Sequence, residues 1–291
     1  MKTDSVLSVT PGSFMLSGVI CLIRSHFGEV SSGNADDPIR RAFEHHFQVP
    51  GKQMRASLSL NASEALGIDA ATAKCLAACV ETLHNASLVL DDFQDAALER
   101  REHPTVCAMF GRDVALGLTL RLTTTAFVSL SQIKISPQFP ALTAEVHQAV
   151  ADTILGQTWD QDGNKNTGVD QVKQTAALKS GPLFGLSLSL PLIAAGHTNS
   201  VATARRLGEL FGLGYQALDD LKDRATDRLQ AVDANIVNAF ESDRSFVEAE
   251  MATREVANAV LSEAQALAAQ LPQKSGAGIG RLIAKFSEPS T

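Results

Sequence analysis

A chain of 291 residues, 45% of them hydrophobic, carries enough apolar surface to bury a substantial core. Its net charge of −7 excludes a general basic surface for nucleic acid or anionic membrane, so an anion must be held by a local basic cluster. The four cysteines, Cys21, Cys75, Cys79 and Cys107, lack metal-finger spacing, and a reduced, cytoplasmic protein is expected.

The N-terminal run SFMLSGVICLI has the character of a signal-peptide core. Only Lys2 precedes it, Asp4 intervenes and no small-x-small cleavage site follows clearly, so residues 1–37 are expected to remain as an N-terminal helix and loop ending in SSGNADDP. Pro38 suits a helix start, and Arg40 to Phe47 is amphipathic. The VPGK turn at 49–52 feeds a helix over 53–66, followed by helices over 70–95, 111–133, 138–162, 170–195, 200–223 and 241–270, and a short one at 279–286. Alternating apolar–polar runs are scarce, which predicts an all-α fold. Residues 38–291 read as one helical bundle, with no linker to divide the chain. Apolar runs such as LFGLSLSLPLIAAG fall short of the ~20 residues of a membrane span, and Pro191 interrupts this one, so no span is expected.

The pattern Asp-Asp-x-x-Asp occurs twice: Asp91, Asp92 and Asp95 in LVLDDFQD, then Asp219, Asp220 and Asp223 in YQALDDLKD. On a helix, residues i and i+4 share a face and i+1 lies about 100° round, so each pattern gathers three carboxylates at one helix end. Hard oxygen ligands of this kind suit Mg²⁺. A lone triplet is weak evidence, because acidic runs usually face water. Here both triplets end apolar segments that call for burial, and six buried carboxylates without cations would be prohibitively costly.

Metal ions between the clusters would pair naturally with a diphosphate, which takes Mg²⁺ on one side and Lys or Arg on the other. Lys52 and Arg55 follow the tight turn, His84 lies two helical turns before Asp91, Arg100 and Arg101 come just after the first cluster, and Lys179 opens KSGPLFG. Taken singly, these are a helix-start pair, a core histidine and surface charges. Their arrangement around the aspartates argues for a shared role.

The segments PGKQMR, LHNASLVLDDFQD, RREHPT, GQTWD, KSGPLFG and GYQALDDLKD, in that order, resemble the trans-isoprenyl diphosphate synthases, in particular the type III geranylgeranyl diphosphate synthases, over residues 38–240. The resemblance implies a single-domain isoprenoid-synthase helical bundle with a central cavity, and a transferase that joins isopentenyl diphosphate to an allylic diphosphate. It implies that Asp91, Asp92 and Asp95 face Asp219, Asp220 and Asp223 across Mg²⁺, three ions in the family pattern, with Mn²⁺ as a substitute. Arg100 and Lys179 would contact the allylic diphosphate, and Lys52, Arg55, His84 and Arg101 would grip isopentenyl diphosphate. Gln157 and Gln216 would face the reacting carbons or support the metal ligands. Ala86 and Ser87, five and four positions before Asp91, would leave the cavity floor low and the product at C20 or slightly longer. A homodimer is implied as well.

Three positions depart from the family pattern. Glu102 stands where Gly usually follows the Arg pair, Leu90 where many relatives have His, and no lysine occurs between Asp223 and Lys274 to match the family's Gly-Lys element. Arg224 or Arg228 is the candidate replacement for that lysine. Two competing readings are a class I terpene cyclase, whose second metal motif ALDDLKDRATDR does not match, and a non-catalytic partner subunit, which usually loses the aspartates retained here.

Overall fold

The computed structural model describes residues 12–29, 37–49, 51–133, 137–161, 168–230 and 235–287, with the side chains of 12–15, 223–230 and 287 left aside. In chain order the elements are α1 (Gly12–Glu29), α2 (Pro38–His46), α3 (Met54–Ala65), α4 (Ala70–Gln94), a hairpin of strands β1 (Glu99–Arg100) and β2 (His103–Pro104), and α5 (Val106–Phe110). They continue with α6 (Arg112–Ser131), α7 (Phe139–Gln161), α8 (Val169–Ala194), α9 (Val201–Gln230), α10 (Ile236–Glu241), α11 (Phe246–Gln270) and α12 (Ala277–Ser287).

Local chemistry sets many of the starts. Asp37 accepts from the amides of Ile39 and Arg40 ahead of Pro38, and Asp69 does the same for Ala71 and Thr72 at the start of α4. Ser245 and Glu248 form a reciprocal capping box that begins α11. That box explains why the single helix expected over 241–270 starts instead at Phe246, with α10 as a separate turn of helix before it.

The all-α expectation holds, and the core sits in clusters between helices. Val19, Ile23 and Phe27 of α1 pack with Phe43, Ala86, Leu118 and Leu122, so α1 is seated on α4 and α6. Phe184 and Leu188 of α8 pack with Phe211 of α9, Leu261 of α11 and Ile279 of α12. Each fully buried side chain of this size contributes roughly 1.5–3 kcal/mol.

The contact of α8 with α9 is the most extensive in the bundle. It is built from glycines at i and i+4 on both helices: Gly181 and Gly185 face Gly208 and Gly212. A Cβ on Gly181 would come within 2.6 Å of the Glu209 Cα, and one on Gly208 would overlap the Gly185 backbone nitrogen. Backbone-to-backbone contact therefore draws Lys179, at the head of the α8 glycine pair, toward the aspartates of α9.

α6 and α8 are each long and apolar enough to cross a membrane by length and composition, contrary to the expectation that no apolar segment reaches that length. For α8 the reason is its place as the core helix, with 72% of its apolar window buried inside the bundle. α6 is 44% buried and leaves Leu116, Leu120 and Phe127 exposed along one face.

Candidate active site

The first aspartate triplet closes α4. Asp91 and Asp92 occupy its last turn and Asp95 is its C-cap. Three carboxylates there meet the partial negative charge of the helix C-terminus, which sharpens their need for cations. Arg100, on β1, answers it with a fork: Nε donates to Asp92 Oδ1 at 2.8 Å and Nη2 to Asp91 Oδ2 at 2.9 Å. Lys179 Nζ lies 3.1 Å from the other Asp91 oxygen, which also accepts from Gln157 Nε2 at 2.9 Å. Burial alone would raise the Asp91 carboxyl, but Lys179, Gln157 and Arg100 hold it below its ordinary value. Burial raises both Asp92 and Asp95, and the neighbouring carboxylates add to it. Burial opposes the charge on Lys179, yet Asp91 and Asp160 together raise its pKa.

The second triplet is not at a helix end. α9 continues to Gln230, so Asp219 and Asp220 sit within the helix and not at the terminus expected near Asp223. Asp219 lines the central cavity. Asp220 is 4% exposed; one oxygen accepts from Gln216 Nε2 and the other from the Ile236 amide, both at 2.8 Å. It thereby ties α9 to the start of α10. Asp223 lies on α9, but its side chain, with those of Arg224 and Arg228, falls outside the described residues.

These groups open on a cavity of about 490 Å³. Its wall brings together Lys52, Arg55, His84, Ser87, Asp91, Arg100, Arg101, Gln157, Lys179, Gln216 and Asp219, from α3, α4, α7, α8, α9 and the β1–β2 hairpin. Asp92, Asp95, Asp220 and Ala86 do not line it. Ala86 is buried instead against the α1–α6 cluster, one position round the helix from Ser87.

Arg55 is the deepest cation. Its guanidinium stacks 3.8 Å from the Phe184 ring centre, Nη1 lies 3.4 Å from His84 Nε2, and its Nε has no hydrogen-bond partner. Burial lowers it to about 10. His84 is held well below its ordinary pKa by burial and by Arg55, Arg101, Arg100 and His46, so its ring is neutral at neutral pH. The guanidinium of Arg101 lies over Gly51, where a Cβ would come within 2.9 Å of it. A pocket wall holding several cations and a neutral imidazole is built for a polyanion.

Sequence reading missed several members. Asp160 pairs with Lys179, and Gln161 Nε2 donates to Asp95 at 2.7 Å. Gln157, Asp160 and Gln161 fall at i, i+3 and i+4, a helical-face spacing that carried the signal. Gly156 lets α7 approach the backbone of Leu178 and Lys179 closely enough for these contacts. Phe184, within KSGPLFG, and Tyr215, within GYQALDDLKD, are also in the wall. Among the described residues no three His, Cys, Asp or Glu side chains are arranged to hold a metal ion by themselves.

Comparison with known proteins agrees with this geometry. Residues 36–232 match the family model described as polyprenyl synthetase. The chain is 30% identical over 206 residues to a geranylgeranyl pyrophosphate synthase of Geoglobus acetivorans, a match covering 69% of this chain and 65% of that protein. It is 31% identical over 191 residues to a hexaprenyl pyrophosphate synthase of Saccharolobus solfataricus, covering 66% of this chain and 65% of that one. The matches thus span less than two thirds of either relative. The solved structure of the geranylgeranyl pyrophosphate synthetase from Geoglobus acetivorans superposes with a TM-score of 0.79 at 25% identity, over 95% of this chain and all of that one. With the ordered motifs, the helical bundle and the acidic and basic walls of one cavity in agreement, the chain belongs to the polyprenyl synthetase family.

Proposed function

We propose that the protein is a trans-prenyltransferase that condenses isopentenyl diphosphate with an allylic diphosphate to give a product of geranylgeranyl length or near it. The observation that carries this reading is one cavity whose wall holds five cations, Lys52, Arg55, Arg100, Arg101 and Lys179, together with His84, Asp91 and Asp219. Two diphosphates need several cations in one cavity.

The donor set fits Mg²⁺. Asp91 and Asp219 open on the same space, and Mg²⁺ binds through one or two carboxylates with substrate phosphates completing its sphere. Asp92, Asp95, Asp220 and Asp223 are the remaining candidates, and Mn²⁺ suits the same oxygens. When bound, the metal would supply Lewis-acid stabilisation of the leaving diphosphate.

Arg100 and Lys179 would draw charge from the allylic diphosphate as its C–O bond breaks and the electron pair leaves with oxygen. Lys52, Arg55 and Arg101 would hold the isopentenyl diphosphate so that its terminal alkene carbon meets the allylic cation, with neutral His84 able to donate a hydrogen bond. The new bond leaves a tertiary cation on the neighbouring carbon, and a proton then leaves the methylene beside that cation for the released diphosphate, forming the trans alkene. Leu88, Leu183 and Phe184 give the wall an apolar stretch that keeps water from the cation.

Leu116, Leu120 and Phe127 of α6, with Ile154 and Leu155 of α7, are exposed. That surface is our candidate for a homodimer interface, and light scattering after size exclusion tests it: Leu120→Glu is expected to yield monomer. The free cysteines are in keeping with a reducing, cytoplasmic setting.

The deciding experiment supplies purified protein with Mg²⁺, isopentenyl diphosphate and, in turn, dimethylallyl, geranyl and farnesyl diphosphates, and identifies products by mass. Elongated diphosphates are expected. Hydrocarbon from an allylic substrate alone would mark a cyclase, and no product would mark a partner subunit.

A further inference from the structure

Glu81 has no part in the chemistry above, yet its carboxylate lies in the cavity wall and the residue is 3% exposed. A buried carboxylate needs compensation, and its partners show what it holds. α3, which follows Lys52 and carries Arg55, starts without a side-chain cap: Gln53 at the N-cap is left-handed, with φ of 48°, and makes no capping bond. The third amide of that helix, on Ala56, donates instead to Glu81 Oε2 at 3.3 Å, across to α4. First-turn amides need an acceptor, and a carboxylate there also meets the positive end of the helix dipole.

The other contacts run toward the same end of the cavity. Burial raises the Glu81 carboxyl against the pull of Arg55 and of the Ala56 amide, yet no carboxylate lies within ion-pair distance of the Arg55 guanidinium among the described residues, so its charge stays available to the cavity. Asn85 Nδ2 donates to the Glu81 backbone carbonyl at 2.8 Å, and Asn85 Oδ1 meets His46 Nε2 at 2.9 Å. Glu81 is therefore the joint between the helix start bearing Lys52 and Arg55 and the face of α4 bearing His84.

We propose that Glu81 is a positioning residue for the isopentenyl diphosphate side of the cavity, capping α3 from α4 so that Lys52 and Arg55 face His84. This rests on the function proposed above. The test compares Glu81→Ala and Glu81→Gln in the full chain, by steady-state kinetics and by hydrogen-exchange mass spectrometry of the first turn of α3. For the alanine variant, KM for isopentenyl diphosphate is expected to rise about tenfold, the loss of a helix cap expressed as affinity. The allylic KM and kcat should change far less, and exchange at residues 54–57 should quicken. The glutamine variant, whose amide oxygen still accepts from Ala56, should recover most of both effects. Equal changes in both KM values, a loss confined to kcat, or a glutamine variant no better than alanine would overturn the proposal. If the alanine variant does not fold, the glutamine variant and Glu81→Asp, whose shorter side chain draws the acceptor back from Ala56, are compared with the unsubstituted protein: a raised isopentenyl KM in the aspartate variant alone supports the cap, and none overturns it. If the unsubstituted protein forms no elongated product, the function reading fails by itself; exchange at α3 then decides the cap, faster exchange supporting it and unchanged exchange overturning it.

Discussion

At Arg101 and Glu102 the backbone passes through the left-handed region, with φ of 55° and 64°. They form the two-residue loop between Arg100 and His103, so the hairpin closes in a type I′ turn, which favours Asn or Gly at both positions. The departure noted in the sequence, Glu102 in place of Gly, is thus a backbone cost as well as a negative charge beside Arg101. Glu102→Gly is expected to stabilise the protein by about 1 kcal/mol in urea unfolding, and an unchanged midpoint would argue against strain in this turn. A second pair of side chains separates depth from packing. Ser87 lines the cavity whereas Ala86 is 4% exposed within the α1–α6 core. Ser87→Phe should shorten the product with little change in stability. Ala86→Phe should instead overpack the core and cost about 3 kcal/mol. At this scale the sequence exposed charged residues in motifs but not which way each side chain turned: adjacent positions on α4 point to different compartments, and only the packing of α1 and α6 assigns them.

Elements longer than about two turns were legible because each presents several periods of apolar residues. α4, α6, α7 and α8 fall within two residues of their expected bounds, and the misses are short: α5, α10 and the hairpin span too few residues to show a period. The end of α9 was also misplaced, since no glycine or proline marks it and Asp223 read as a terminus. Placement of helices is a different matter from their existence. The glycines of KSGPLFG and GELFGLG were visible, but that they face one another across α8 and α9 is a tertiary fact. Gly208→Ala is expected to destabilise by about 3 kcal/mol or more, because the new methyl meets the backbone of Gly185 and not a side chain that can move. Loss of the proposed transferase activity should accompany it, since Lys179 and Asp219 are held at their separation by this contact; an active variant of normal stability would remove the glycine contact from the account.

Across the whole molecule, acid should loosen the fold through its half-buried histidines. Burial, against the help of Asn85 and with Arg100, Arg101 and His45 adding to it, lowers His46 from 6.5 to about 4. Between those values the unfolded chain takes up a proton that the folded chain refuses, so stability is full above pH 6.5 and falls as the pH drops toward 4. The difference between pH 7 and pH 5 is on the order of 2 kcal/mol from this residue, and His84 acts in the same direction. His46→Gln should flatten the dependence measured by denaturant titration; an unchanged slope would count against it. By itself the sequence determined the all-α class, most helices, the two aspartate motifs and the basic residues around them, because periodicity and motif spacing are local properties of the chain. Only the tertiary structure decided that Asp91 rather than Asp92 opens on the cavity, that Asp220 fastens α10, and that Asp160, Gln161 and Glu81 belong to the site. Those outcomes depend on which helices touch and on how far each face is turned, and both are set by contacts between residues far apart in the chain.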